Sequence, residues 1–209
     1  MLYTPPSFRE SRPEILHAAM RAHPLAHLVS AVDGEVIATP VPLLLDTEGT
    51  PRLIGHLARA NPYAKARPGR ALAIFSGPDA YVTPSWYASK RAHGKVVPTW
   101  NYVVVHVRGT LTWLDDAAAI RGVVEALTRA HEERRAEPWA VSDAPADFIA
   151  AQLEVIVGFT LSLETVEGKW KMSQNRPAAD RAGVIAGLSA EGKEEIASLI
   201  PPPEPPARP

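Results

Sequence analysis

The chain has 209 residues, no cysteine, 46% hydrophobic and 22% charged content, and a formal net charge of −1 from 22 basic and 23 acidic side chains. Without cysteine there are no disulfides, thiolate nucleophiles, zinc ribbons or iron–sulfur clusters. The charge balance also lacks the general basic excess that supplies most of the affinity for duplex DNA.

No basic segment followed by an apolar run opens the chain, and no apolar stretch nears the ~20 residues that span a bilayer, so the expected location is the cytoplasm. In chain order, Ser11-Arg-Pro-Glu14 reads as a capping box for a helix with its apolar stripe at Ile15, Leu16, Ala19 and Met20, stopped by Pro24. His17, His23 and His27 read as surface or rim histidines, because Pro24 breaks their helical spacing and no carboxylate completes a metal set. Two strands follow, Ala26 to Val32 and Glu35 to Leu45, joined at Asp33-Gly34, a pair that tolerates positive φ at both turn positions. Pro40 and Pro42 mark the second of them as an edge or a bulge.

Arg52 to Ala58 reads as a strand, Asn61-Pro62 as the start of a short helix, and Ala71 to Ser76 and Asp79 to Thr83 as two short strands. Thr99 to Leu114 is a long strand with Trp100, Tyr102, Val104, His106 and Arg108 on one face and Asn101, Val103, Val105 and Val107 on the other. Asp115 or Asp116 caps a helix striped by Ile120, Val123, Val124 and Leu127, and Asp143 starts a shorter one through Phe148, Ile149 and Leu153. Val155 to Thr165 reads as the last strand. Ala178 to Leu188 reads as a helix, Ser189 as the cap of another, and residues 201–209 as a polyproline tail. The pattern predicts an α+β fold on an antiparallel barrel, with residues 1–200 as one domain.

The densest stretch is Tyr81 to Tyr102, which gathers Trp86, Tyr87, Lys90, Arg91, Lys95 and Trp100 between strands. Pro84 and Pro98 bracket a segment that cannot continue a ladder, so it reads as a shaped loop. Flat rings beside cations suit a flat anionic ligand, and they equally suit a loop closing over the edge of a core.

Trp86-Tyr87, His93-Gly-Lys-Val-Val-Pro-Thr-Trp-Asn-Tyr102 and Glu167-Gly-Lys-Trp-Lys-Met-Ser-Gln-Asn-Arg-Pro177 resemble the signature segments of the PaiB-type family, described as FMN-binding negative transcriptional regulators. Tyr3-Thr-Pro-Pro6, Phe8 and Gly55 to Pro62 agree with it. The resemblance covers roughly Met1 to Gly187. It implies a split β-barrel of the pyridoxamine-phosphate-oxidase-like kind with flanking helices, a homodimer, and FMN at the subunit interface.

On that resemblance, Arg59 suits the phosphate, with Asn61 opening a helix whose N–H groups face an anion and His56 as a polar wall. Trp86, Tyr87 and Trp100 offer apolar faces for the isoalloxazine; Lys95, Thr99 and Asn101 offer donors. Regular pleating puts Trp100 opposite Thr99 and Asn101, so the three share one wall only if the strand start is irregular or a dimer interface intervenes. Lys169, Lys171 and Gln174 belong to a late segment that, in related barrels, reaches the flavin held by the other subunit. The alternation there puts both lysines on one face and Trp170 on the other.

No nucleophile elbow, P-loop or Rossmann glycine pattern appears, so any reaction would belong to the flavin. Three functions follow: a flavin-dependent regulator or redox sensor, an FMN-dependent oxidoreductase or flavin reductase using NAD(P)H, and a haem-binding or haem-degrading barrel with a histidine ligand. Direct DNA binding is expected to be weak, since no helix–turn–helix is evident.

Overall fold

The computed structural model describes residues 1–202. The elements run β1 (Arg9–Glu10), α1 (Pro13–Ala22), β2 (Leu25–Val32), β3 (Glu35–Pro42), β4 (Leu44–Asp46), β5 (Arg52–Ala58), α2 (Pro62–Ala66), β6 (Arg70–Val82), α3 (Ala88–His93) and β7 (Thr99–Leu114). There follow α4 (Ala117–Glu132), α5 (Ala146–Glu154), β8 (Ile156–Ser162), β9 (Thr165–Lys171), α6 (Ala178–Ala190) and α7 (Glu194–Ser198). Strands neighbour one another in the order β3-β2-β6-β7-β8-β5-β4, with β9 pairing β1 and β7 off this path. The fold is therefore α+β, an antiparallel sheet of the split-barrel kind with flanking helices, as expected. Of the proline tail, residues 203–209 lie outside the described residues.

The described chain divides into two compact units, each assembled from separate stretches. One comprises residues 13–75 and 105–166. Its hairpin β2–β3 turns at Asp33 and Gly34, whose φ values of 51° and 87° are those a two-residue turn requires. Pro40 and Pro42 are tolerated because β3 lies at the end of the strand order, where a missing N–H breaks no second ladder. Helix α4 is capped by Asp116, which accepts the Ala119 N–H at 2.9 Å. Its stripe buries Val123 and Leu127 against Ile54 of β5, and Ile120 packs with Val141, Ile149 and Leu153. Each fully buried aliphatic side chain of this kind contributes about 1.5–3 kcal/mol.

The other unit comprises residues 1–12, 76–104 and 167–202 of the described chain. Its core gathers Val82, Tyr87, Val103, Met172, Val184 and Leu188, with Trp86 and Trp170 partly buried against it. Trp86 fits where α6 has no side chains: a Cβ at Gly183 would stand 1.9 Å from the Trp86 carbonyl oxygen, and one at Gly187 would stand 2.3 Å from its ring.

Local expectations are corrected at six points. The strand expected over Glu35 to Leu45 is two, β3 and β4, and the helix expected from Asp143 begins at Ala146. In place of the Ser11 capping box, among the described residues Glu10 Oε1 accepts the Ser11 and Arg12 N–H groups at 3.0 and 2.9 Å, and its carboxylate pairs with the Arg12 guanidinium. The two strands expected around Gly77-Pro78 are one, β6, which continues through a phase slip; Ala71, Ala73 and Phe75 are buried before it, Ala80 and Val82 after it. The last strand ends at Ser162, and β9 is a separate strand. Ser189 lies inside α6, not at a cap.

Candidate functional site: a cationic aromatic face

The alternation of β7 sorts the expected site residues. Trp100 is 52% exposed, and Asn101 beside it is fully buried. Tyr102 falls on the Trp100 side of the pleat. Tyr81 of β6 meets Trp100 edge to face, with ring centroids 5.9 Å apart and an interplanar angle of 70°.

Both lysines of β9 come to this face, as alternation requires. Lys169 Nζ lies 5.3 Å from the Tyr102 ring centroid and 5.5 Å from that of Tyr3, and it donates to the Tyr3 carbonyl at 3.0 Å. Lys171 Nζ lies 6.0 Å from the Tyr102 ring and hydrogen-bonds the Thr99 hydroxyl and the Trp100 carbonyl. Cation–π contacts of this kind contribute roughly 0.5–2 kcal/mol, more as water is excluded.

These cations have neutral partners. Glu167, two residues before Lys169, has its carboxylate directed to the Leu2 N–H at 3.3 Å. Burial, then the like charges of Lys169 and Arg176, push the Lys171 ammonium below the ordinary lysine range. A face that gathers two lysines and exposed rings, with a carbonyl and a hydroxyl as the hydrogen-bond partners of Lys171, has the chemistry that suits an anion with a planar body.

Several expected residues serve the framework instead. Tyr87 is fully buried, with Arg176 stacked 4.6 Å from its ring centroid, so it offers no face to a ligand; burial raises its pKa. Trp86 occupies the α6 glycine groove. The Asn101 side chain points into the core, where its Oδ1 accepts from Ser173 Oγ at 3.1 Å. That resolves the pleat conflict: Trp100 belongs to the exposed face, Asn101 does not, and Thr99 joins through Lys171 at the strand start. Gln174 braces the turn after β9, accepting the Met172 N–H at 2.7 Å and donating to the Trp170 carbonyl. Lys95 is exposed beyond the αL glycine that ends α3.

His56, Arg59 and Asn61 belong to the other unit, on and after β5. The Arg59 guanidinium is already committed, donating to the Glu154 carbonyl at 2.9 Å and to Asp115 Oδ1 at 3.2 Å, while Arg67 holds the other Asp115 oxygen at 2.5 Å. Asn61 caps α2, accepting the Tyr63 N–H at 2.9 Å and donating to Thr39 at 3.1 Å. His56 Nδ1 is buried with no hydrogen-bond partner among the described residues, and burial depresses the imidazole pKa. Tyr3, Tyr81 and Tyr102 were not expected at the site. Tyr81 and Tyr102 bound the dense aromatic stretch and Tyr3 lies in a signature segment, so a signal existed for each; none pointed to the site itself.

Residues 2–165 match the family model described as "Putative FMN-binding domain". An uncharacterised protein of Aspergillus fumigatus is 34% identical, over 88% of this chain and 90% of its own. The Bacillus subtilis "Protease synthase and sporulation protein PAI 2" is 29% identical over 91% and 90%. Among solved structures, the FAD and heme binding protein from Mycobacterium smegmatis superimposes with TM-score 0.58 at 20% identity, covering 78% of this chain and 73% of that one. The flavocytochrome from Azotobacter vinelandii gives 0.56 at 20%, over 78% and 69%. At that identity the likeness concerns the fold. Family match, relatives and signature segments agree, and the chain belongs to the PaiB-type family of FMN-binding-domain proteins.

Proposed function

We propose that this protein binds FMN and acts as a flavin-dependent regulator or redox sensor, working as a homodimer. One observation carries the reading: Lys169 and Lys171 sit with neutral partners beside the rings of Tyr102 and the exposed Trp100. A dianionic phosphate gains from ammonium groups whose hydrogen bonds go to neutral atoms, and an isoalloxazine gains from an exposed indole. FMN, when bound, supplies the one- and two-electron chemistry. The chain's own residues hold and orient it: the lysines fix its charge, Trp100 and Tyr102 its plane.

Visible spectra of the purified protein and FMN titration test this. Flavin bands and saturable binding are expected, with Lys171→Gln weakening FMN about tenfold or more, the usual scale for a charge-assisted hydrogen bond. A colourless protein that ignores added FMN would overturn the reading.

A haem reading has one observation in its favour, the unpartnered buried Nδ1 of His56. It predicts a Soret band on haem titration that His56→Ala abolishes.

A further inference from the structure

We propose that Lys171 is a nucleophilic amine that forms an imine with an aromatic aldehyde bearing a carboxylate or phosphate group. The proposal goes beyond flavin binding and does not require it.

The hydrogen-bond geometry around Nζ carries the argument. An ammonium has three donors and needs acceptors, ideally an anionic one. Lys171 is given two neutral partners, the Trp100 carbonyl and the Thr99 hydroxyl. Those same two satisfy a neutral amine, which donates to the carbonyl and accepts from the hydroxyl's O–H. Little is therefore lost when the proton leaves.

The charged and titratable surroundings act in the same direction. On its own strand, Lys169 is only 8% exposed and held by the Tyr3 carbonyl, and Glu167 is engaged by the Leu2 N–H. Beyond the strand stands the Arg176 guanidinium, and across from it on β7 lies Tyr102. Two neighbouring cations favour the free amine, as they do for Schiff-base lysines. They also select the co-reactant: an anion is drawn to Lys169 and Arg176, and an aromatic body finds the Tyr102 ring.

In the reaction, the Lys171 nitrogen lone pair attacks the aldehyde carbon, and the carbonyl π pair becomes an alkoxide. The nitrogen loses a proton and the oxygen gains one, giving a carbinolamine. Loss of water then leaves the C=N bond. Amine and aldehyde give imine and one water, with no oxidant or reductant consumed.

The test treats the full chain at pH 7 with 4-carboxybenzaldehyde, traps the imine with cyanoborohydride, and maps adducts by peptide mass spectrometry. Lys171 is expected to be labelled faster than Lys65, Lys90, Lys95 or Lys193, since its two neutral partners and the cations beside it favour the free amine. Methyl 4-formylbenzoate, which lacks the charge, is expected to lose the preference. Lys169→Gln should move the pH dependence of labelling to higher pH. Labelling spread evenly over the lysines, or equal labelling of Lys171 by acid and ester, would overturn the proposal. Because the first two comparisons use the unmodified protein, misfolding of a variant cannot obscure the outcome.

Discussion

Arg59 and Lys171 are both cations at the ends of β-strands, and the molecule treats them oppositely. Arg59 shares the Asp115 carboxylate with Arg67, in the open, at 3.2 Å. Lys171 is half-buried, next to two cations, with a carbonyl and a hydroxyl for partners. An exposed pair of the first kind contributes little and is screened by salt. A cation of the second kind costs free energy to keep charged, and such a cost persists where a ligand or a reaction makes use of it. On the proposed reading, a phosphate would therefore gain more from the lysines of β9 than from Arg59.

The largest effect should come from the framework under that face. Trp86 lies so close to α6 that Gly187→Leu cannot be accommodated by a side-chain shift alone, and overpacking of this kind costs about 1–3 kcal/mol or more. Gly122 of α4, in the other unit, has open space around a Cβ, so Gly122→Ala should stabilise by about 0.5–1 kcal/mol through helix propensity. Chemical denaturation of the two variants checks the contrast. Equal and small effects would show that the Trp86 contact is not a fixed part of the core.

Two strands with an unbroken pattern were legible to the residue. Arg52–Ala58 and Thr99–Leu114 follow from alternation bounded by turn residues or prolines. Gly77-Pro78 misled because β6 absorbs it as a phase slip, which depends on strand neighbours that the sequence does not display. The same holds for the site. That Lys169 and Lys171 share a face was readable from spacing of two. That Tyr3, far away in the sequence, gives its carbonyl to Lys169 was not, because β1–β9 pairing is a long-range event. Tyr87 and Asn101 looked like ligand residues since aromatic and amide side chains suit a flavin as well as they suit a core; only burial separates the two roles.

The pH dependence of stability is of intermediate size. The folded-state pKa of Lys171 lies below its unfolded value, so between the two the unfolded chain binds more protons and stability rises with pH. Lys171→Met removes this group from the linkage. Relative to wild type, the variant should gain most near neutral pH, and the advantage should shrink as pH climbs towards the unfolded value of about 10.5. A difference independent of pH would mean that Lys171 pays no penalty for its charge.

The smallest effect on stability, and the most direct challenge to the contrast, is Asp115→Asn. Asp115 is exposed, and its carboxyl is held below the usual range chiefly by the Arg67 hydrogen bond, with Arg59 adding to it. The pair's contribution is thus present above the unfolded carboxyl pKa and fades as pH falls through the folded one. At neutral pH its removal should hardly move the denaturation midpoint. It does, however, release the Arg59 guanidinium. If the β9 lysines hold the phosphate, FMN affinity stays unchanged in Asp115→Asn and falls in Lys171→Gln. A rise in FMN affinity on releasing Arg59, with Lys171→Gln silent, would reverse the comparison, making Arg59 the phosphate ligand and Asp115 its stand-in for the anion.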